Sequence, residues 1–545
     1  MNNENKLQSA VEGVVKDLYG VEGEGLVTIE IPKNTEYGDY ATPVAMQLAG
    51  RLKKNPRAIA DEMKEALLKE KDLIDTVEVA GPGFINFRLK SDSLGAVISR
   101  VFEKGDKYGW NYSGVRKPVL VEYVSANPTG DLHLGHARGA VWGDCICRLY
   151  KASNYDVLRE YYINDAGAQM INLGKSVYAR YAQFFGEDVK VPEDGYFADD
   201  VKKIGEDIAL EEGDVWLHKE EGRIEHFKQK GYEVELKKIE QVLKDLRVEF
   251  DSWVSEQWLY DSGLVEETIQ KLKDLGVTYE EDGALWLKTT EWGDDKDRVL
   301  VKSDGTLTYM TPDLANHRFK HDRGYTKMIN LWGGDHHGYV ARMKAGLQTL
   351  GFGPDDLEVD LIQMIHLVED GQEVKMSKRS GNAITIQALI DDVGVDVTRY
   401  FFASRAVESQ MDFDLALARS HSNENPVYYI QYAHARACGV LRNAPEFKEQ
   451  TEFTRLNEEK EVDLLKLMDD FPSIVEEAAV LRRPHRICNF LMQMATAFHS
   501  FYGSSKVIVP EDPELSNERI GLVMACRQVM ENALWLIGIS APESM

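Results

Sequence analysis

The sequence predicts an α/β multidomain protein whose central domain is a Rossmann-type, doubly wound parallel sheet. The first observation is a nearly continuous β-forming run at residues 118–125, "PVLVEYVS", of the kind found in strands buried on both faces. A glycine-containing loop, a helical pattern and a second strand, "YDVLREYYIND", follow in the order of a doubly wound sheet. The third observation is helical periodicity from about residue 416 to the end. At 545 residues the chain is too long for one core, so these segments are expected to form separate domains.

The composition restricts the class of protein. Apolar residues make up 43% and charged residues 28% of the chain, which is typical of soluble globular proteins. No apolar run reaches the roughly 18 residues of a membrane span, and the N-terminus lacks a signal-peptide pattern. Five cysteines argue against a disulfide framework and favour a cytoplasmic location. The net charge of −27 lowers the expectation of a nucleic-acid partner without excluding one, because basic side chains can collect on one face.

Residues 1–112 are predicted to form an N-terminal α+β domain. The stretch "MQLAGRLKKNPRAIADEMKEALLKE" has helical apolar spacing that is broken at Pro56, and "VEVAGPGFINFRL" indicates two short strands around a Gly-Pro-Gly turn. The Rossmann-type domain is predicted over residues 113–385. It includes an acidic, lysine-rich helical insertion at about 185–260 that carries few β signals.

The second half of the sheet and the C-terminal part are predicted from three further stretches. "YTKMINLWGGDHHGY" indicates a strand and then a loop, and "LEVDLIQMIHLVEDGQEVKMSKRSGNAI" indicates a strand pair turned at Asp370-Gly371. After about residue 386 the pattern is helical to the end, apart from "VIVPEDPEL". Residues 386–415 are therefore predicted to connect the sheet to a helix bundle over residues 416–545.

Two histidines in "NPTGDLHLGHARG", His133 and His136, lie at the predicted start of the helix that follows the first sheet strand. The first turn of a helix has unpaired N–H groups and a partial positive charge, both suited to an anion. Gly135 lets the backbone approach a ligand, and both imidazoles can donate to phosphate oxygens. A zinc site would require a glutamate within a helical His-x-x-x-His or nearby cysteines, and Cys145 and Cys147 lie too far along the helix. Phosphate binding is favoured over a metal site or a structural role.

A second basic motif, "KMSKRSGN", covers residues 375–382. Lys375, Lys378 and Arg379 crowd one polar loop beside Gly381. Flexible lysine side chains can neutralise the charge that builds on a phosphate leaving group. A solvated basic turn is the alternative, and the presence of His-Leu-Gly-His upstream favours the phosphate role.

Together the two motifs resemble the signature of class I aminoacyl-tRNA synthetases, which activate an amino acid with ATP and transfer it to tRNA. Longer stretches narrow the resemblance to the arginyl-tRNA synthetase family. They are "VEYVSANPTGDLHLGHARGAVWGD", "YYINDAGAQM", "DRVLVKSDGTLTYMTPDLA", "WGGDHHGYV", "NENPVYYIQYAHARA" and the final "APESM". The resemblance implies a class I catalytic domain with arginine–tRNA ligase activity. It also implies an N-terminal domain that contacts the tRNA elbow, a stem-contact region at 386–415 and a C-terminal helical domain that reads the anticodon.

The resemblance also implies which residues bind arginine. Glu122 and Asp313 match positions that hold the arginine side chain, Tyr309 matches a residue that shapes the pocket, and Asn127 matches one that binds the α-amino or carboxylate end. A guanidinium is a flat, permanent cation that carboxylates meet best in bidentate geometry. Structural roles are the alternatives: Asp313 could cap a helix after Pro312, and Glu122 could pair with a core arginine. The glutamine that some family members place near the amino acid is not evident.

The ATP site implied by the resemblance combines both motifs with "WGGDHHGY". Its two glycines let the backbone approach the nucleotide, Asp335 can accept from a ribose hydroxyl, and His336 and His337 can line the ATP side. A metal site at the adjacent histidines is the less favoured alternative. ATP is expected to bind with Mg²⁺, without metal ligands from protein side chains and without a prosthetic group. The predicted ATP-binding residues are His133, Gly135, His136, Gly333, Asp335, His336, Lys375, Met376 and Lys378.

The predicted tRNA-binding residues Tyr428, Tyr432 and Arg436 lie on a long helix that begins near "NPVYYIQYAHARA". The two tyrosines are one turn apart, so they can either pack in the core or stack on unpaired anticodon bases. The stretch "LRRPHRICNF" is a basic patch that could meet phosphates.

The predicted reaction begins with in-line attack of the arginine carboxylate on the α-phosphorus of ATP. Magnesium and the catalytic residues His133, His136, Lys375 and Lys378 stabilise the phosphate charge while pyrophosphate leaves. The 2′-hydroxyl of the terminal adenosine of tRNA(Arg) then attacks the arginyl-adenylate and releases AMP. A pocket of carboxylates rejects analogues that lack the guanidinium, so no editing domain is expected. The family resemblance further implies tRNA-dependent activation, a monomer, and no DNA or membrane partner.

Two rival functions are weighed against this one. The first is a class I synthetase for another amino acid, such as glutamine or cysteine, which the acidic set Glu122, Tyr309 and Asp313 disfavours. The second is a non-catalytic, synthetase-derived tRNA-binding protein. Both signature motifs are intact, and a non-catalytic relative would be free to lose them.

Overall fold

The computed structural model describes residues 3–30, 32, 38–70, 73–374 and 384–545, without the side chains of residues 91–93. The predicted architecture is confirmed: a small α+β unit, a parallel sheet flanked by helices, and a helix bundle follow one another along the chain. Among the described residues, no helix combines the length and apolar character that crossing a membrane would need.

The N-terminal unit contains a three-stranded antiparallel sheet in the order β1-β3-β2. Asn55 caps a helix whose first residue is Pro56, where the missing N–H of proline costs no intrahelical bond. The predicted helix break at Pro56 and the strand pair around Gly81-Pro82-Gly83 are both confirmed. The elements are α1 (Asn3–Tyr19), β1 (Tyr40–Thr42), α2 (Val44–Leu52), α3 (Pro56–Leu67), β2 (Ile74–Ala80), β3 (Phe84–Leu89) and α4 (Ser91–Lys104).

The middle part of the chain supplies the central sheet and the helices around it. In chain order its elements are β4 (Pro118–Glu122), α5 (Leu134–Ala152), β5 (Asp156–Ile163), α6 (Ala168–Phe184), α7 (Asp199–Glu212), α8 (Val215–His218), α9 (Arg223–Asp245), β6 (Ser252–Ser255), α10 (Glu256–Asp261), α11 (Leu264–Asp274), β7 (Thr278–Glu281), β8 (Ala284–Leu287), β9 (Arg298–Val301), α12 (Met310–Asp322), β10 (Met328–Gly333), α13 (His337–Thr349), β11 (Leu357–Ile362), β12 (Ile365–Glu369) and β13 (Gln372–Glu373). Strands β7, β8 and β9 form a separate antiparallel sheet.

The remaining elements are α14 (Ile386–Val393), α15 (Val395–Ala403), β14 (Met411–Asp414), α16 (Leu415–Arg419), α17 (Pro426–Asn443), α18 (Glu459–Val480), α19 (His485–Ser504) and α20 (Pro513–Leu536). Helices α17 to α20 form the predicted bundle, and α4 of the N-terminal unit packs against α18 and α20.

Five strands form one parallel sheet in the order β11-β10-β4-β5-β6. The chain passes from β4 through β5 to β6 on one side and returns on the other side with β10 and β11. The order therefore reverses beside β4, and in such sheets ligands bind in the crevice at the carboxyl ends of the strands where this reversal occurs.

The predicted helical insertion at 185–260 differs from the structure at its end. Helices α7 and α9 pack on α6 around a small core of their own that includes Leu173, Val177 and Phe227. Residues Ser252–Ser255, however, form β6 of the central sheet, paired in parallel with β5. Four residues are too few for a recognisable β pattern, so only pairing with β5 reveals this strand.

A second difference lies in the segment after residue 386, which was expected to be helical apart from "VIVPEDPEL". Residues Met411–Asp414 form β14, which pairs in parallel with β12. Met411 and Phe413 are buried while Asp412 is exposed, so the strand presents one apolar face to the core. The predicted turn at Asp370-Gly371 is confirmed, with φ of +51° and +76°, as expected for a two-residue hairpin turn.

The domains meet around one fully buried arginine, Arg399 of α15. Its guanidinium pairs with Asp144 of α5 and donates to the carbonyl oxygens of Leu246 and Ile537, each at 2.9 Å. These partners lie on the sheet's first helix, at the end of α9 and at the end of α20. Arg399 therefore satisfies polar groups from three parts of the chain in one place.

Candidate active site

A cavity of about 1090 Å³ opens at the carboxyl ends of β4, β10 and β11, where the strand order reverses. Its walls are the loop after β4, the first turn of α5, the loop after β10 and the link between β11 and β12. The structure thus brings together predicted residues from two distant motifs: Asn127, His133, Gly135, His136, Gly333, Asp335 and His336.

The two histidines form a reciprocal cap at the start of α5. His133 is the N-cap residue, and its Nδ1 accepts from the Gly135 N–H at 3.1 Å. The His136 Nδ1 accepts from the His133 N–H at 3.3 Å, and the two rings lie 3.9 Å apart. Because each Nδ1 accepts, the proton of each neutral ring is on Nε2, which leaves two N–H donors at the helix start.

Burial keeps both imidazoles neutral. It lowers the pKa of His133, and it lowers the pKa of His136 to about 4, with His133 adding to the effect. These rings therefore act at neutral pH as hydrogen-bond donors rather than as cations. In the part of the chain that the structure describes, no group of three or more His, Cys, Asp or Glu side chains could hold a metal ion.

The predicted residues Lys375, Met376 and Lys378 belong to residues 375–383, outside the described residues. The segment that follows them contacts the histidine loop through its backbone. The Leu134 N–H donates to the Ile384 carbonyl at 3.3 Å, and the Ile386 N–H donates to the Leu132 carbonyl at 2.8 Å. The chain thus leaves the second motif directly beside the first.

The segment "GGDHHG" forms the wall opposite α5. Gly333 ends β10, residues Gly334–His336 make one turn of 3₁₀ helix, and α13 begins at His337. Asp335 is exposed, and its Oδ1 lies 3.0 Å from the His336 Nδ1. An exposed carboxylate on this rim is free to accept from a ligand hydroxyl.

Glu122 ends β4 and is buried beside the cavity. It forms an ion pair with Lys320, which is fully buried, and Lys320 also lies 3.6 Å from Glu160. The Ser125 hydroxyl, which lines the cavity, donates to Glu122 Oε1 at 3.2 Å. In this structure Glu122 therefore has the core cation that was its structural alternative, and this cation is a lysine instead of an arginine.

Asp313 lies in the first turn of α12, just outside the cavity lining. Its Oδ2 accepts from the Tyr339 hydroxyl at 2.6 Å. Burial raises the pKa of Asp313 to about 6, an effect that Glu122 strengthens and the Tyr339 hydrogen bond opposes. Tyr309 immediately precedes α12 and is 88% exposed, so its predicted role as a pocket wall is not seen in this structure.

Glu256 is a site residue that the sequence did not reveal. It is the first residue of α10, directly after β6. Burial, together with the charges of Asp313 and Asp165, raises the pKa of Glu256 to about 7, and none of the described basic side chains offsets them. The mutual effect of Glu256 and Asp313 shows two carboxyl groups sharing one poorly neutralised site. Its sequence signal was lost because β6 was predicted as part of an insertion.

Asn127 lies in the cavity wall and donates from Nδ2 to Gln169 Oε1 at 2.8 Å. Gln169 belongs to the first turn of α6, and its Nε2 donates to the Asn164 carbonyl at 3.3 Å. The quoted stretch "YYINDAGAQM" contains both residues, yet only the fold shows that they meet Asn127. They add polar groups to the end of the cavity predicted to hold the amino-acid backbone.

The predicted tRNA-binding residues form a stack on the surface of α17. The rings of Tyr428 and Tyr432 are 6.0 Å apart and nearly parallel, at 14°. The Arg436 guanidinium lies 4.5 Å from the Tyr432 ring centre, and its Nη2 donates to the Tyr432 hydroxyl at 2.8 Å. Both tyrosines are half-buried. They border a cavity of about 780 Å³ shared with Tyr502 and the C-terminal residues 544–545.

Comparison with known proteins decides the family. The model described as tRNA synthetases class I (R), catalytic domain, matches residues 97–403. The Arginyl tRNA synthetase N terminal domain matches residues 5–89, and the DALR anticodon binding domain matches residues 430–545. The arginine–tRNA ligase of Bacillus licheniformis is 50% identical over 524 residues, which cover 95% of this chain and 94% of that protein. The chain belongs to the arginyl-tRNA synthetase family.

Other arginyl-tRNA synthetases support this assignment. The arginine–tRNA ligase of Oceanobacillus iheyensis is also 50% identical, over 95% of this chain and 94% of that protein. The solved Thermus thermophilus arginyl-tRNA synthetase superposes with a TM-score of 0.74 and 23% identity, covering 99% of this chain and all of that one. The order of three domains seen here is therefore the fold of an arginyl-tRNA synthetase, and the likeness extends along the whole chain.

Proposed function

We propose that this chain ligates L-arginine to tRNA(Arg). In the first step the arginine carboxylate attacks the α-phosphorus of ATP, the bond to the β-phosphate bridging oxygen breaks, and pyrophosphate leaves. In the second step the 2′-hydroxyl of the terminal adenosine of tRNA attacks the arginyl-adenylate, and AMP leaves. The observation that carries this proposal is the poorly neutralised pair Asp313 and Glu256 beside a helix start that suits phosphate.

The arginine side chain is proposed to enter between Asp313 and Glu256. A raised carboxyl pKa means that ionisation is unfavourable in the empty pocket, and a bound guanidinium, which is always charged, reverses this. Glu122 is proposed to contribute less, because Lys320 already neutralises it. Asn127 and Gln169 are placed to meet the α-amino or carboxylate end of the substrate.

ATP, with Mg²⁺ as part of the substrate, is proposed to lie across the first turn of α5. The Nε2–H groups of His133 and His136 would donate to its phosphate oxygens, and the Gly135 backbone permits close approach. Asp335 would accept from a ribose hydroxyl, and Lys375 and Lys378 are proposed to neutralise the leaving pyrophosphate. The protein supplies orientation and preorganised donors, while the bonds change within the two substrates.

The proposal is tested by ATP–pyrophosphate exchange with arginine, glutamine or cysteine, each with and without tRNA(Arg). Arginine-dependent exchange in the presence of tRNA is expected, together with arginyl transfer to tRNA. Exchange that is supported by another amino acid in place of arginine would favour the first rival function. An absence of exchange and transfer with arginine and tRNA(Arg) would show that the proposed function is wrong.

The anticodon loop is proposed to bind the stack formed by Tyr428, Tyr432 and Arg436. Stacking of one base on an aromatic ring contributes about 1–3 kcal/mol, so Tyr432→Ala is expected to raise the KM for tRNA by about tenfold or more. Pyrophosphate exchange in saturating tRNA should change little. Steady-state aminoacylation at varied tRNA concentration measures this, and Tyr112→Ala is the control, because Tyr112 is 81% exposed in the segment before β4. Equal KM values for the two variants would contradict the assignment.

We also propose that the chain acts as a cytoplasmic monomer without DNA or membrane partners. All five cysteines are unpaired and buried, which agrees with a reducing compartment. Light scattering of the protein with and without tRNA tests the oligomeric state.

A further inference from the structure

We propose that α9 of the acidic insertion positions both substrate-binding loops, with Lys238 acting on the ATP side and Tyr232 on the arginine side. The inference rests on the proposed function, because it assigns positioning residues to the same site. Lys238 and Tyr232 lie on one helix that passes beside the loop before α5 and the residues before α10. Neither residue is a predicted substrate contact.

Lys238 links α9 to the histidine loop. Its Nζ lies 2.9 Å from Asp131 Oδ1, and Asp131 is two residues before His133. The same ammonium group lies 2.6 Å from Asp200 of α7 and 3.1 Å from Glu235, whose side chain is fully buried. Two carboxylates of the insertion thus hold the lysine in place, and the third partner is the loop itself. An ion pair anchored in this way restricts its free partner more than an isolated surface pair does.

The histidine loop is held on its other side by the chain that follows the second motif. Leu132 and Leu134 exchange backbone hydrogen bonds with Ile386 and Ile384, and His133 pairs with Thr385. Between this pairing and α9 lies a cavity of about 490 Å³ lined by Leu132, Ile239 and other residues of both segments. Because this space is not filled by packing, the Lys238–Asp131 pair is well placed to set how far the loop lies from α9. A shift of the loop moves the His133 donor relative to the phosphates, and catalysis is sensitive to such shifts.

Tyr232 acts at the other substrate loop. Its hydroxyl hydrogen-bonds to Asp165. Asp165 in turn accepts from the Ser255 hydroxyl at 2.7 Å and from the Gln257 N–H at 2.9 Å. These two groups flank Glu256 in the chain, so Asp165 fixes the start of α10 and with it one carboxylate of the proposed guanidinium pocket. Tyr232 therefore supports Glu256 through one intermediate side chain.

The two links predict opposite kinetic signatures in the full-length enzyme. Lys238→Met is expected to raise the KM for ATP by about fivefold to tenfold and to leave the KM for arginine within about twofold. Tyr232→Phe is expected to raise the KM for arginine by about fivefold with little change for ATP, because it removes one hydrogen bond to a charged acceptor. Lys238→Arg keeps the charge and should restore most of the ATP affinity.

Matched controls separate positioning from general damage to the insertion. Lys237→Met changes the adjacent, exposed lysine of α9, and Tyr178→Phe removes a hydroxyl from a ring packed against Phe227. Both control variants should keep wild-type KM values. Amide hydrogen exchange of residues 129–139, measured without substrates, should accelerate in Lys238→Met and stay unchanged in Lys237→Met.

The outcomes distinguish this inference from the proposed function. If the wild type and both controls activate arginine but Lys238→Met and Tyr232→Phe keep wild-type KM values, the positioning role is overturned while the function stands. If the two variants raise both KM values equally, the effect is structural and the inference is also overturned. If the wild type shows no arginine-dependent exchange with tRNA, the proposed function fails, and the exchange of residues 129–139 still tests the Lys238 link.

Discussion

Asp313→Asn is expected to raise the KM for arginine by about 100-fold or more while the KM for ATP changes by less than about twofold. Removing one partner of a desolvated, charge-assisted pair costs about 2–5 kcal/mol, because the guanidinium is left partly unneutralised. The variant should fold, since the asparagine oxygen can still accept from Tyr339 and the substitution removes an unfavourable buried charge. Glu256→Gln is expected to act in the same direction.

Exchange kinetics at varied arginine and varied ATP concentrations measure this effect. Glu266→Gln is the control, because Glu266 is an exposed carboxylate in the first turn of the neighbouring helix α11. An equal rise in both KM values would show that Asp313 is not part of a pocket for the arginine side chain.

The same pocket predicts a pH dependence. The pKa of Asp313 is raised to about 6 and that of Glu256 to about 7, so both carboxyl groups of the free enzyme gain protons as the pH falls from 8 to 5. A protonated carboxyl cannot pair with a guanidinium, and kcat/KM for arginine should therefore fall over this range. His136, with a pKa of about 4, stays neutral throughout and does not contribute. A flat profile between pH 8 and 5 would contradict the assignment of these two carboxylates.

The second large effect is expected at the junction of the domains, where Arg399→Met should destabilise the folded protein by about 3–5 kcal/mol. The substitution leaves the Asp144 carboxylate buried with one partner fewer, and it leaves the Leu246 and Ile537 carbonyl groups without their donor. A lower midpoint of thermal unfolding and a lower soluble yield are the expected results, measured by calorimetry and circular dichroism.

Two comparisons make this prediction specific. Arg486→Met breaks a partly exposed pair with Glu477 and should cost no more than about 1 kcal/mol. Adding Asp144→Asn to Arg399→Met should recover part of the loss, since the unpaired buried charge is then removed. A midpoint for Arg399→Met within 1 °C of the Arg486→Met value, about the resolution of the measurement, would show that the junction does not depend on this arginine.

Local features of the site could be predicted because their physical causes lie within a few residues. The strand, loop and helix around His133 follow from a β-forming run that ends before a capped first turn. The hairpin at Asp370-Gly371 follows from two residues that tolerate positive φ. The break at Pro56 follows from a missing N–H. Each feature is set by backbone geometry and short-range hydrogen bonding, which the sequence states directly.

Charge pairing, in contrast, was decided by tertiary structure. Lys320 neutralises Glu122, and Glu256 joins Asp313 beside the cavity, although nothing near these residues in the sequence indicates a partner. Tyr309 was expected in the pocket but faces solvent. The strands β6 and β14 exist because β5 and β12 offer free edges, and four residues alone would not form them.

By itself, then, the sequence determined the kind of fold, the order of its domains and the helix start that suits phosphate. Only the packed chain decided which carboxylates remain without a cation, because that depends on how distant segments meet and on how much water they exclude. The specificity proposed for arginine lies in that second class of facts. A buried acid has a strongly altered affinity for protons and for guanidinium only after the surrounding strands and helices have removed it from solvent.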